Sequence, residues 1–111
     1  MKGEVCLKRS EDFVRLYRIG SYSSCPFVAI KSAPNNLETT RLAISVSKKI
    51  GSAVVRNRIK RRFREIFRGI KLSQSYDIVV LARRGSAVVN FSELKGSTVD
   101  LLNKKGLIEQ I

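Results

Sequence analysis

The sequence predicts an α+β fold with elements in the order αββαβα around a central sheet. Three segments carry that prediction. Leu42, Ile44 and Val46 alternate with Arg41, Ala43, Ser45 and Ser47, the period of a strand with one buried face. The run YDIVVLA, Tyr76–Ala82, is apolar on both faces at its centre, as an inner strand is. Between the two, Val55, Ile59, Phe63, Ile66 and Phe67 recur at helical spacing.

The other elements follow from local signals. Residues 10–17 read as a short helix: Ser10 suits the N-cap, and Glu11 and Asp12 fill the first turn, where negative charge complements the helix dipole. Gly20 suits a left-handed stop, and Phe13, Leu16 and Tyr17 share one side. Residues 26–31 and 39–47 read as strands around the loop Ala33-Pro34-Asn35-Asn36. The face of the second strand made by Arg41, Ala43, Ser45 and Ser47 is small and polar, which leaves a shallow surface. Gly51-Ser52 separates strand from helix, with Ser52 as N-cap of a helix over residues 53–68. Asn90-Phe91-Ser92-Glu93 resembles a capping box opening a last helix, which ends at Lys104-Lys105 before Gly106. Gly96 inside that helix costs about 1 kcal/mol relative to Ala. No repeat, low-complexity stretch or linker divides the chain, so residues 1–111 are expected to form one domain.

Composition narrows the function. A formal charge of +13 on 111 residues implies attraction to polyanions. No apolar run approaches the roughly 20 residues that span a bilayer, and the first residues lack a signal-peptide core; a cytoplasmic protein is expected. Cys6 and Cys25 make no disulfide framework or CxxC motif and read as free thiols. The chain has no histidine, which removes the commonest general base, and its nine acids are scattered. No catalytic residue is assigned, and Asp77 reads as a solvated or salt-bridged strand residue rather than a metal ligand.

Residues 48–68 hold nine Lys or Arg against one acid, Glu65. On a helix, Arg56, Lys60, Arg64 and Arg68 form one row, Asn57 and Arg61 a second beside it, and Arg58 and Arg62 the other flank. The main row rises roughly 18 Å, a ladder of cations spaced for successive phosphates. A solvated face that served only solubility would mix signs. Here the like-charge i,i+4 pairs 56/60, 58/62, 60/64 and 64/68 together cost roughly 1–2 kcal/mol. A polyanionic partner relieves that repulsion. Asn57 adds an acceptor where the arginines offer only donors, suiting it to a base edge or ribose hydroxyl.

The continuous run SVSKKIGSAVVRNRIKR, residues 45–61, resembles the signature of the protein subunit of bacterial ribonuclease P. The likeness extends to Asp12-Phe13 and Tyr17, to LAISVSKK and to YDIVVLAR. It implies an α/β sandwich in which the strands flanking the arginine-rich helix join by a left-handed crossover, against the usual rule. It implies that an RNA subunit, with Mg²⁺, hydrolyses the phosphodiester bond that releases the 5′ leader from precursor tRNA. Arg56, Asn57, Arg58, Lys60, Arg61 and Arg64 match the motif that packs on the catalytic RNA, with Lys48 and Lys49 on the same side. The first helix, the sheet and the basic helix are implied to line a cleft for the single-stranded leader. Phe13 and Tyr17 match its aromatic positions, Phe13 serving equally well as a core residue, and Ser45 and Ser47 fall on its floor. Ile30 stands where an aromatic facing the cleft is expected, and the basic tail common in the family is nearly absent after Lys105. The implied partners are the ribonuclease P RNA and precursor tRNA, with no obligate protein partner and no membrane.

Other functions remain open at the level of sequence. A structural RNA-binding protein shares the size and charge but needs no aromatic cleft. A protein-only nuclease would cleave without an RNA subunit. A membrane-surface helix would need the apolar face of residues 53–68 that the sheet requires.

Overall fold

The computed structural model describes residues 5–109. Its elements are β1 (Val5–Cys6), α1 (Ser10–Ile19), β2 (Ser21–Ser24), β3 (Val28–Pro34), β4 (Arg41–Ser45), α2 (Ala53–Arg68), β5 (Tyr76–Ala82), a 3₁₀ turn (Arg84–Ala87) and α3 (Phe91–Lys104). The strands form one sheet in the order β1-β4-β5-β3-β2. β4 and β5 are parallel neighbours, so the chain crosses over between them through α2, while β3 runs antiparallel to both β5 and β2.

The six predicted elements are present, joined by two strands and a turn that the predicted order lacks. β1 is two residues long, and β2 (SYSS) has no β-branched residue or apolar alternation. Both exist through pairing, β1 with β4 and β2 with β3. β3 starts two residues later than expected and runs to Pro34, because its ladder with β5 continues to the Pro34–Tyr76 pair. β4 is shorter than predicted at both ends. Thr40 precedes it and accepts the Tyr76 amide on its hydroxyl at 3.2 Å. The connecting loop turns at Asn36, whose φ of 57° is the left-handed conformation Asn tolerates.

Two predicted caps on α1 are corrected. Arg9 occupies the N-cap without a side-chain bond, and Ser10 is the first helical residue. Gly20 is extended (φ −69°, ψ 148°) rather than left-handed, because the chain enters β2 at the next residue. Glycine is still required there, since a Cβ would collide with the Leu16 carbonyl oxygen. The caps of the other helices are as expected: Ser52 accepts the Val55 amide, Asn90 accepts the Glu93 amide at 2.8 Å, and Gly106 follows α3 with φ 72°.

The sheet has helices on both faces. Val28 and Ile30 of β3, Leu42 of β4, and Ile78 and Val80 of β5 face the main core, where Ile59, Phe63, Ile66 and Phe67 of α2 and Leu94, Leu101 and Leu102 of α3 close over them. The alternate residues Ala33 and Val79 pack against Leu7 and against Leu16 of α1, with Phe13, Ala43 and Leu81 at the margin. Each strand thus sends successive side chains to opposite layers.

Candidate RNA interface

Anchoring comes first. Asp77 of β5 is fully buried, and its carboxylate is enclosed by cations. Arg41 of β4 grips it with two donors, Nε to Oδ1 at 2.8 Å and Nη2 to Oδ2 at 2.7 Å. Asn35 donates to Oδ1 at 3.0 Å, and Arg15 of α1 lies 3.6 Å from Oδ2. Arg41 also reaches Asp12 of α1 at 3.0 Å. Burial by itself would raise the Asp77 pKa; the hydrogen bonds from Arg41 and Asn35 and the charges of Arg41 and Arg15 outweigh it and hold the carboxyl below its ordinary value. The hydrogen bond to Asp77 chiefly raises the Arg41 pKa, against the opposing effect of burial. This network fixes α1 to the sheet, and Asp77 is salt-bridged rather than solvated.

α2 carries the opposite arrangement. Its core stripe of Ile59, Phe63, Ile66 and Phe67 turns Asn57, Arg61, Arg64 and Arg68 fully outward, a line rising roughly 16 Å. Arg56 and Lys60, expected in the leading row, are half-buried beside it, and Arg56 Nε donates to the Gly51 carbonyl at 3.3 Å. Among the described residues, the side chains of Asn57, Lys60, Arg61 and Arg64 have no ion pair or hydrogen bond. Arg58 and Arg62 on the flank donate to the carbonyls of Ala87 and Val89, both at 3.2 Å, tying α2 to the segment after β5.

Because β4 and β5 are parallel, their C-terminal ends meet at one rim, with Ser45 opposite Leu81. Past β4, the turn through residues 47–50 exposes Lys48 and Lys49, with the Ser47 hydroxyl accepting the Lys49 amide at 3.2 Å. Past β5 come Arg83 and Arg84, also exposed. Sequence reasoning passed over these two arginines. The signal was a pair of cations directly after a predicted strand, as in Lys48-Lys49, and its meaning depends on the parallel pairing.

The face of the sheet that carries α1 is different. Tyr17 on α1 is 51% exposed, while Phe13 is half-buried against the second core. Ser45 is exposed at the end of β4 and Ser47 lies just past it in the turn. Ile30 is 1% exposed in the main core, so it does not face this surface at all. Lys31, the next residue, does, with its ammonium 5.0 Å from the centre of the Tyr17 ring. α2 packs on the reverse face of the sheet. The family likeness implied that the basic helix lines the same cleft as α1; the structure corrects this, because α1 and α2 pack on opposite faces of the sheet.

The described residues contain no group of three or more His, Cys, Asp or Glu side chains able to hold a metal ion, and both oxygens of Asp77 are taken by cations. Among the described residues no helix is long and apolar enough to cross a membrane.

A family model described as Ribonuclease P matches residues 1–106. The ribonuclease P protein component of Caldanaerobacter subterraneus subsp. tengcongensis is 42% identical over 94% of this chain and 91% of its own. The solved structure of the Staphylococcus aureus RNase P protein shares 31% identity with a TM-score of 0.81, covering 93% of this chain and 96% of that one. The Thermotoga maritima RNase P protein shares 29% identity with a TM-score of 0.79, covering 95% and 98%. With the five-stranded sheet, the cation-rich α2 and the opposite aromatic face in place, the chain belongs to the ribonuclease P protein family.

Proposed function

We propose that this chain works with a ribonuclease P RNA in maturing the 5′ end of tRNA, using the two sides of its sheet for two RNAs. The carrying observation is the outward line of α2, where Arg61 and Arg64 have no ion pair or hydrogen bond among the described residues and sit on the reverse side of the sheet from the exposed tyrosine face. Arg61, Arg64 and Arg68, flanked by Arg56 and Lys60 and joined by Lys48 and Lys49 at the rim, grip phosphates of the RNA subunit. Asn57 contacts a base edge or ribose hydroxyl there. Arg58 contributes mainly by holding the segment at Ala87 against α2.

On the α1 side, the leader of precursor tRNA lies single-stranded along the cleft. Tyr17 stacks on a leader base, Phe13 supports the wall from within, and Ser45 and Ser47 line the floor. The protein's contribution is to orient the leader and neutralise phosphate repulsion between the two RNAs. Hydrolysis belongs to the RNA subunit with its Mg²⁺. The cytoplasm is the compartment in which this pairing of RNAs is expected.

Reconstitution tests this division of labour. The protein is mixed with a bacterial ribonuclease P RNA at low Mg²⁺, and 5′ processing of precursor tRNA is followed beside each component alone. Cleavage only in the mixture is the expected result. Cleavage by the protein alone would place chemistry in the chain, and RNA binding without rescue would leave only a structural RNA-binding protein.

A further inference from the structure

We infer that Tyr22 and Lys31 extend the leader cleft beyond α1 into a second stacking subsite for single-stranded RNA on the edge strand β2. The inference rests on the cleft assignment made above and deepens it. Tyr22 is directly opposite Lys31 in the antiparallel β2–β3 ladder, so the two side chains rise from the same face of the sheet. That face is the α1 side, because the Lys31 ammonium sits 5.0 Å from the Tyr17 ring centre. One cation therefore shares this face with two aromatic side chains, one from a helix and one from the sheet edge. Tyr22 is 55% exposed and Tyr17 51%, and neither hydroxyl has a hydrogen-bond partner among the described residues.

Large aromatic side chains left in solvent on one face, with a cation on the same face, suit a flat partner that carries charge. Bases supply π-faces and the phosphate between them supplies the charge that Lys31 complements. Inward from Lys31 the row passes to Val79, which is buried in the second core with Leu16 of α1, so the open part of this face is its outer part at Lys31 and Tyr22. Gly20 makes the arrangement possible: it carries the chain from α1 straight into β2, and a Cβ there would meet the Lys31 stem as well as the Leu16 carbonyl. α1 and β2 are thereby held on either side of Lys31.

The occupant is the 5′ leader of a precursor tRNA, and the test uses the complete protein–RNA holoenzyme. Affinity is measured for precursors whose leaders are lengthened one nucleotide at a time, and for mature tRNA. Tyr22→Ala is expected to lose about tenfold in affinity, the size of one lost base–aromatic stack. The loss appears only once the leader is long enough to pass Tyr17, and Tyr22→Phe restores the affinity. Lys31→Gln is expected to reduce the salt slope of leader binding by about 0.7, one single-strand phosphate contact. Tyr17→Ala is measured in parallel. If Tyr17→Ala weakens leader binding and Tyr22→Ala does not, the second subsite is wrong and the cleft stands. If neither variant depends on the leader, the cleft assignment itself fails. A Tyr22→Ala loss equal for mature tRNA, or a change in oligomeric state without one in leader binding, would assign Tyr22 to another partner and overturn the inference.

Discussion

Arginine does two opposite jobs in this chain. At one end of the sheet Arg41 and Arg15 converge on Asp77, and Arg41 adds Asp12, so charge is paired and largely withdrawn from solvent. Along α2, Lys60, Arg61 and Arg64 have no ion pair among the described residues, and Glu65 is the single acid of the helix. Acids sit where α1 must be fixed to the sheet, and α2 keeps only one where a partner's phosphates would otherwise be repelled. Net charge alone does not separate these uses; only the placement of the acids does.

Salt separates the two sets of arginines most strongly. If α2 and the rim meet about six phosphates, the logarithm of RNA affinity falls with that of salt at a slope of roughly −4 to −5. A fourfold rise in salt then weakens binding several hundredfold. Replacing Arg61 and Arg64 together by Ala should flatten the slope by roughly 1.5 while leaving urea stability unchanged or slightly higher, since like-charge repulsion is relieved. A flat salt profile in the parent protein would remove the phosphate ladder.

The paired set should respond in the reverse manner. Asp77→Ala leaves the Arg41 guanidinium without its main partner and should lower stability by about 3 kcal/mol in urea denaturation. A loss under about 1 kcal/mol would mean that the network does not anchor α1. Acid provides a gentler probe of the same contact. The folded pKa of Asp77 is depressed, so its stabilisation is complete above the unfolded carboxyl value of about 3.9 and is lost as pH falls through the lower, folded value. Asp77→Asn should lack that component of acid unfolding, measured by fluorescence or circular dichroism across acidic pH.

The smallest effect belongs to a site outside both sets. Gly96 in α3 has open space where a Cβ would go, so Gly96→Ala should add about 1 kcal/mol with no change in RNA affinity. Unaltered stability would mean that α3 gains nothing there from helix propensity.

Elements whose signals are local were legible in the sequence. Ser52 and Asn90 cap their helices as their positions suggest, and α2 and β5 have the bounds that periodicity assigns. β1 and β2 were not legible, since VC is too short and SYSS too polar and unpatterned to mark a strand without a neighbour to pair with. Tyr22 went unnoticed for the same reason. Ile30 was given to the cleft by likeness, but alternation along β3 commits it to the core and offers Lys31 instead. Placing α2 on the reverse side from α1 required knowing how the β4–β5 crossover closes. Arg41 and Asp77 are 36 positions apart, and their pairing is invisible until the two strands align.

The 16-residue α2 is inserted between two strands that pair directly with one another. Its mutual repulsion is therefore built into the free energy of the unliganded fold. Screening ions act on the same charges with opposite sign in two settings: they loosen the grip on RNA and ease the packing of the free protein. Added salt should raise the melting temperature of the isolated chain while lowering that of the ribonucleoprotein, and the concentration at which the two curves approach marks where the helix stops distinguishing a partner from dissolved counterions.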